Sequence, residues 1–273
     1  MRKNFNALPG FGLTMGFTLF YLSAIVLFPI GGLLLKIIGV GWEEFWRTAT
    51  TERALAAYKL TFSASLVAAL INAFFGTVLA WVLVRYHFPG KRFVDALVDI
   101  PFALPTAVAG LTLASLFAPN GWLGRFLEPL NIKAAYSEIG VVLALTFVSM
   151  PFVVRTLQPV IESLEREVEE AAPTLRAGRF PSFRNVLAPA CLTTLITGFA
   201  LSFARAVGEY GSVVFISSNL PFETEIAPLV IISLLESYEY SAAMSIAVVL
   251  LAVSFVLLIV INLLEKWARR YQG

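Results

Sequence analysis

The sequence is short of charge. Asp, Glu, Lys and Arg together make up 14% of its 273 residues, against roughly 25% in a soluble domain. That leaves too little polar surface to keep a compact globule of this size in water. Cysteine and histidine are scarcer still, with one each, Cys191 and His87. A disulfide framework is excluded, and a Cys/His metal cluster cannot be assembled from such a pair. A formal net charge of +2 gives no reason to expect nucleic acid as a partner. The glycine-rich phosphate loop of nucleotide-hydrolysing chains is missing, so the chain itself is expected to bind no cofactor. The short alternating segments of a membrane barrel are missing too. Apolar matter is what remains: 58% hydrophobic residues, 23 of them Phe, and a mean hydropathy of +0.81. Disorder is excluded by the same figures. The chain is a membrane protein.

A spanning helix needs about 20 mostly apolar residues. Uncharged runs extend over Asn4–Leu35, Leu60–Val84, Ile100–Gly124, Ile139–Val154, Asn185–Ala204 and Tyr240–Leu264. They predict an all-α, polytopic protein built as a single transmembrane domain over 1–273, with six helices at about 12–38, 58–86, 95–118, 139–158, 188–217 and 243–264. The first run is far longer than the core of a cleavable signal, so it reads as an uncleaved first helix. The fourth is short and is expected to continue past Arg155, whose long stem can snorkel to the interface. Pro101 and Pro105 break the third, whose first half, from Asp95 to Pro105, is expected to lie partly along the interface.

Orientation follows from the basic residues. With six helices both ends share a side, and that side holds thirteen Lys and Arg against six on the other. Both termini are therefore expected in the cytoplasm. Trp42, Trp46 and Trp122 then fall on an outer aromatic belt, and Trp81 and Trp267 on an inner one.

The stretch 158–187 is a long cytoplasmic loop carrying charges of both signs. Val160, Ile161, Leu164, Val168 and Ala171 recur at three and four, which places one apolar helical face beneath an acidic one. A second short helix is expected after Pro181, capped by Ser182. Such a projecting knob suits docking into a groove on another protein; a solvated connector without a partner is the other reading.

Within this loop, Glu170-Ala171-Ala172 followed by Ala177-Gly178, Val186 and Pro189 resembles the "EAA" loop of ATP-binding-cassette importer permeases. That family has Gly where this chain has Arg176, and Gly178, two residues on, is available for the turn. Further stretches resemble sulfate/thiosulfate permeases: Asp95–Gly110, Pro151–Thr156, Ser202–Gly211, Leu8-Pro-Gly-Phe-Gly and Ala56–Thr61. The likeness covers nearly the whole chain and is nearest to the T-type permease subunit, although the Arg-x-x-Gly-Glu stretch is shared with molybdate permeases. The resemblance implies a type I importer permease fold, with the EAA loop as the element coupling to a separate ATPase. It implies as partners a second, homologous permease in a heterodimer, two copies of the ATPase, which uses the ATP, and a periplasmic sulfate/thiosulfate-binding protein. The implied place is a bacterial inner membrane. Moving a dianion into a negative interior costs roughly 4–5 kcal/mol at 100 mV, which suits ATP-driven uptake. The alternatives are a permease for molybdate or tungstate, a stand-alone secondary transporter, or a membrane enzyme.

The candidate pathway or gate residues are Arg205, Glu209, Gly208, Asn72, Pro101 and Pro105. Arg205 and Glu209 lie four apart, hence on one helix face, and ionisable groups within a span point to a pathway unless they simply pair. Gly208 and Gly211, with Ser212, allow close backbone approach or a broken helix. Ala68, Asn72, Gly76 and Ala80 form a small-residue stripe; Asn72 either cross-links helices or lines the path. Gly12 and Gly16 read as a packing motif. Pro101 and Pro105 free carbonyls that Thr106 and Thr112 are placed to satisfy. Asp95 and Asp99 are expected to meet Lys91, Arg92 or a partner subunit, and His87 to sit at the interface.

Overall fold

The computed structural model describes residues 11–164 and 188–270. Glu170, Ala171, Ala172 and Gly178 of the expected coupling loop lie outside these residues, as does the side chain of Trp267. All the regular structure among the described residues is helical. Among the described residues, five helices are long and apolar enough to cross a membrane, or six if one sharply bent pair counts as a single span.

The first, α1, covers Phe11–Ile38 and buries none of its residues. Its middle widens into a π turn over Ser23–Leu27, where the Phe28 N–H reaches back to the Ser23 carbonyl. The cause is Pro29, which has no N–H to give and crowds the carbonyl of Ile25. Gly12 and Gly16 have no neighbouring atom within 4 Å in the direction of a side chain, so among the described residues their packing motif meets nothing. A short helix, α2 (Trp42–Ala49), follows. On it Trp42 and Trp46 pack edge to face at 5.5 Å.

The centre of the molecule is the trio α3 (Glu52–Arg85), α6 (Glu138–Ser163) and α7 (Ala188–Val207). The Thr51 hydroxyl caps α3 by accepting the Ala54 N–H at 3.3 Å. Water-driven association is absent between helices in lipid, so close backbone approach and dispersion must hold them. The sequence supplies it: Ala64, Ala68, Ala69 and Ala80 of α3 are fully or almost fully buried, and a Cβ on Gly76 would lie 3.0 Å from Val153 of α6. One cluster joins Ala64, Ala68, Val141, Leu145 and Ala206. A second, nearer the other end, joins Leu83, Val98, Val153, Leu157 and Ile161. Phe74, Phe75, Phe255 and Val256 face outward, as side chains that meet lipid do.

Between α3 and α6 stand α4 (Lys91–Ala103) and α5 (Thr106–Phe117), bent by 116° at their junction. After α7 come α8 (Ala227–Glu236) and the long α9 (Tyr240–Arg270). Two expectations need correction. The helix expected over 188–217 ends at Val207; residues 208–212 form a turn, and a single helical turn, Val213–Ile216, follows. The cause is Glu209, whose carboxylate takes the Ser212 N–H out of the helical ladder. The stretch after residue 217, given no helix in the sequence reading, holds α8. It is ten residues long, half of what a crossing needs.

Candidate functional site

The end of α7 places two ionisable side chains at its break. Glu209 is 2% exposed, and its carboxylate is occupied on both oxygens. Oε2 meets Nη1 of Arg205 at 2.6 Å, and Oε1 accepts the Ser212 N–H and the Ser212 hydroxyl, each at 2.9 Å. A buried carboxylate is tolerable only when so paired, and charge-assisted bonds of this length are the strong kind. The Arg205 side chain remains 31% exposed, so the pair runs from the interior to the surface of the chain. Of the two readings of these residues, the mutual ion pair is the one the structure contains.

The wall behind the pair is α5. A Cβ on Gly110 would fall 2.2 Å from the Ser212 carbonyl oxygen, and one on Gly211 would fall 2.2 Å from Thr106 Oγ1. Glycine is required at 110, where backbone lies against backbone, while at 211 a side chain would first have to displace the Thr106 hydroxyl. Gly208 differs. It is exposed, and its nearest neighbour in the side-chain direction is the Ala204 oxygen at 3.9 Å. It contributes to the break without making a close approach.

The elbow ahead of α5 follows from its prolines. Leu104 is extended, at φ −84° and ψ 136°, as the residue before a proline prefers to be, and Pro105 opens α5. Pro105 is thus next to Thr106, which touches the break, while Pro101 is buried inside α4. Thr112 does not satisfy a freed carbonyl; it donates to Val108 within α5, at 2.8 Å.

Asn72 does not belong to this group. It is 1% exposed, and its amide donates to the Thr146 carbonyl (3.0 Å), the Ser149 hydroxyl (2.9 Å) and the Ser202 hydroxyl (3.2 Å). It ties α3, α6 and α7 together, which is the cross-linking one of its two readings. Pro189 lies in the first turn of α7 and is exposed.

Two charged clusters were not anticipated. Arg155 of α6 does not snorkel alone: it binds both oxygens of Asp99, at 2.8 and 2.6 Å, and Asp95 Oδ1 at 2.7 Å. The two acids therefore face α6, where Arg155 holds them, with Lys91 adding a positive charge near Asp95. The sequence signal was the matching of an acid pair four apart with a solitary cation in an apolar helix. Arg53, at the start of α3, binds both oxygens of the buried Glu225, at 2.7 and 2.5 Å. Nothing in the sequence links residues 172 positions apart.

Residues 72–270 match the family model described as the binding-protein-dependent transport system inner membrane component. A sulfate transport system permease protein CysT from Synechocystis is 53% identical over 93% of this chain and 89% of its own length. The protein of that name from Salmonella typhimurium is 48% identical over 97% of this chain and 96% of its own. Among solved structures, a bacterial ABC transporter that imports the acidic polysaccharide alginate superposes with a TM-score of 0.77. It does so at 15% identity, over 94% of this chain and 96% of that one.

Proposed function

The chain belongs to the inner-membrane components of binding-protein-dependent transport systems, and from that premise we propose that it is a permease subunit of an ATP-driven importer of sulfate and thiosulfate. It is a non-catalytic transport subunit that crosses the membrane several times. The observation that carries the substrate is the 53% identity, along nearly the full length, to a protein named as a sulfate permease. The chain forms half of the translocation pathway. Its partners are a second, homologous permease, two copies of an ATPase and an external binding protein; a related alginate importer has been solved with its substrate-bound periplasmic protein. Both termini face the cytoplasm, as the excess of Lys and Arg on that side supports. The coupling segment, carrying Glu170, Ala171, Ala172 and Gly178 beyond the end of α6 at Ser163 and reaching Pro189 in the first turn of α7, seats in the ATPase.

Within this half, the break at 208–212 is the gate. Because Glu209 already neutralises it, Arg205 acts in this conformation as a pin across the break. An anion gains a free positive charge only when the pair opens, so passage and opening are tied together. The EAA assignment is tested by Glu170→Lys, which puts a cation into an acidic docking face. Sulfate uptake is expected to vanish while the amount of protein in the membrane is unchanged. Normal uptake in that variant would remove the loop from the coupling role.

A further inference from the structure

Arg155 lies two turns before the end of α6, and the loop to the ATPase follows that end. Its guanidinium holds α4 by two bonds to the Asp99 carboxylate, one to Asp95 Oδ1 and one to the Asp95 carbonyl at 2.9 Å. Gln158, one turn further on, accepts from Arg155 Nη1 at 2.6 Å and donates to Asp95 Oδ1 at 3.1 Å. Beneath these charges α4 buries Val98 and Pro101, and Val98 joins the cluster of Leu83, Val153, Val154 and Leu157. Arg85, at the end of α3, donates to the Leu164 carbonyl at 3.0 Å, which fixes the last turn of α6 from the other side. Single exposed ion pairs contribute little, but bidentate geometry within a network is the exception. Apolar contact sets how close α4 and α6 lie, whereas the forked guanidinium sets their register.

The other end of α4 meets the gate. Through the elbow at Leu104 and Pro105 it becomes α5, whose Thr106 and Gly110 press against Gly211 and Ser212. Two routes therefore lead from the 165–187 loop to the break. One is α7 itself, which carries Arg205. The other runs through α6, across Arg155 to α4, and along α5 to the opposite wall.

We propose that Arg155, with Asp95 and Asp99, is a positioning clamp that makes α4 and the end of α6 one lever, so that both walls of the break move when the loop is displaced. The inference rests on the reading of that loop as the ATPase-docking segment. Without the clamp, α7 still follows the loop but the α5 wall lags, and ATP is spent without passage.

The test uses the whole complex in lipid vesicles, with labelled sulfate uptake and ATP hydrolysis measured on the same preparations. Arg155→Gln and the milder Asp99→Asn, which leaves the Asp95 bonds in place, are compared with wild type. Sulfate moved per ATP is expected to fall about tenfold in Arg155→Gln and less in Asp99→Asn, within the usual span of coupling between sites. Hydrolysis and the yield of assembled complex stay near wild type, and Arg155→Lys, which keeps the charge but not the fork, recovers part of the loss. Unchanged transport per ATP in both variants, or uptake and hydrolysis falling together with assembly, overturns the clamp while leaving the functional reading intact. A wild-type complex that hydrolyses ATP yet moves no sulfate overturns that reading, and the clamp with it.

Discussion

Glu209 and Asn72 are both buried and polar, yet their surroundings assign them different work. Glu209 carries a charge, and its pairing to Arg205 and Ser212 is complete only while residues 205–212 keep their present shape. Breaking a fully buried pair costs about 3–5 kcal/mol, and here only Glu209 is fully enclosed by the chain. In the proposed gate, a pair of that strength holds the closed state and opens during the ATP-driven cycle. Asn72 is neutral and bonds to two other helices. Hydrogen bonds between membrane helices average about 0.6 kcal/mol each, so Asn72→Ala is expected to cost roughly 2 kcal/mol. The loss should appear as a lower unfolding temperature of the detergent-solubilised protein, with uptake per assembled complex unchanged. A change in which anions compete for uptake would place Asn72 in the path after all.

At the scale of elements, the proposed gate depends on how closely α5 approaches the 208–212 turn. Gly110→Ala places a methyl carbon against the Ser212 backbone, where 2.2 Å is available, and overpacking of this kind costs about 1–3 kcal/mol even where side chains can yield. Backbone yields less. Gly110→Ala is expected to lose most uptake, whereas Gly208→Ala, with no atom nearer than 3.9 Å, should stay within about twofold of wild type. Uptake assays on the two variants at matched membrane levels check the contrast, and equal effects would contradict the gate geometry. The apolar runs made the long helices legible, and two prolines announced the elbow. The sequence could not show that Glu209 would divert the Ser212 N–H and end α7 at Val207, since that bond forms only after the chain has turned. It also could not show α8, whose ten residues carry no mark separating a short buried helix from a connecting loop. Arg205 and Glu209 were readable because charge is rare in a span. Gly110 was not, because nothing in its own run of small and apolar residues says which backbone will lie against it.

For the whole molecule, the exposed surface is itself informative. No residue of α1 is buried, and large apolar side chains cover the outer faces of α3 and α9, as befits a chain set in lipid. The described residues form a connected frame: Arg53 ties α3 to Glu225 ahead of α8, Asn72 ties the central trio, and Arg155 ties α4 to α6. At the break that follows α7, the frame holds Glu209 buried and leaves Arg205 31% exposed. The central claim is that this frame carries sulfate and that Arg205 governs its passage. The most direct measurement is labelled sulfate uptake in cells lacking the protein, with the gene restored as wild type or as Arg205→Ala at matched membrane levels. The account predicts rescue by wild type alone, competed by thiosulfate and not by molybdate. Equal rescue by both would contradict the role of Arg205, and rescue by neither with the complex assembled would contradict sulfate as the substrate.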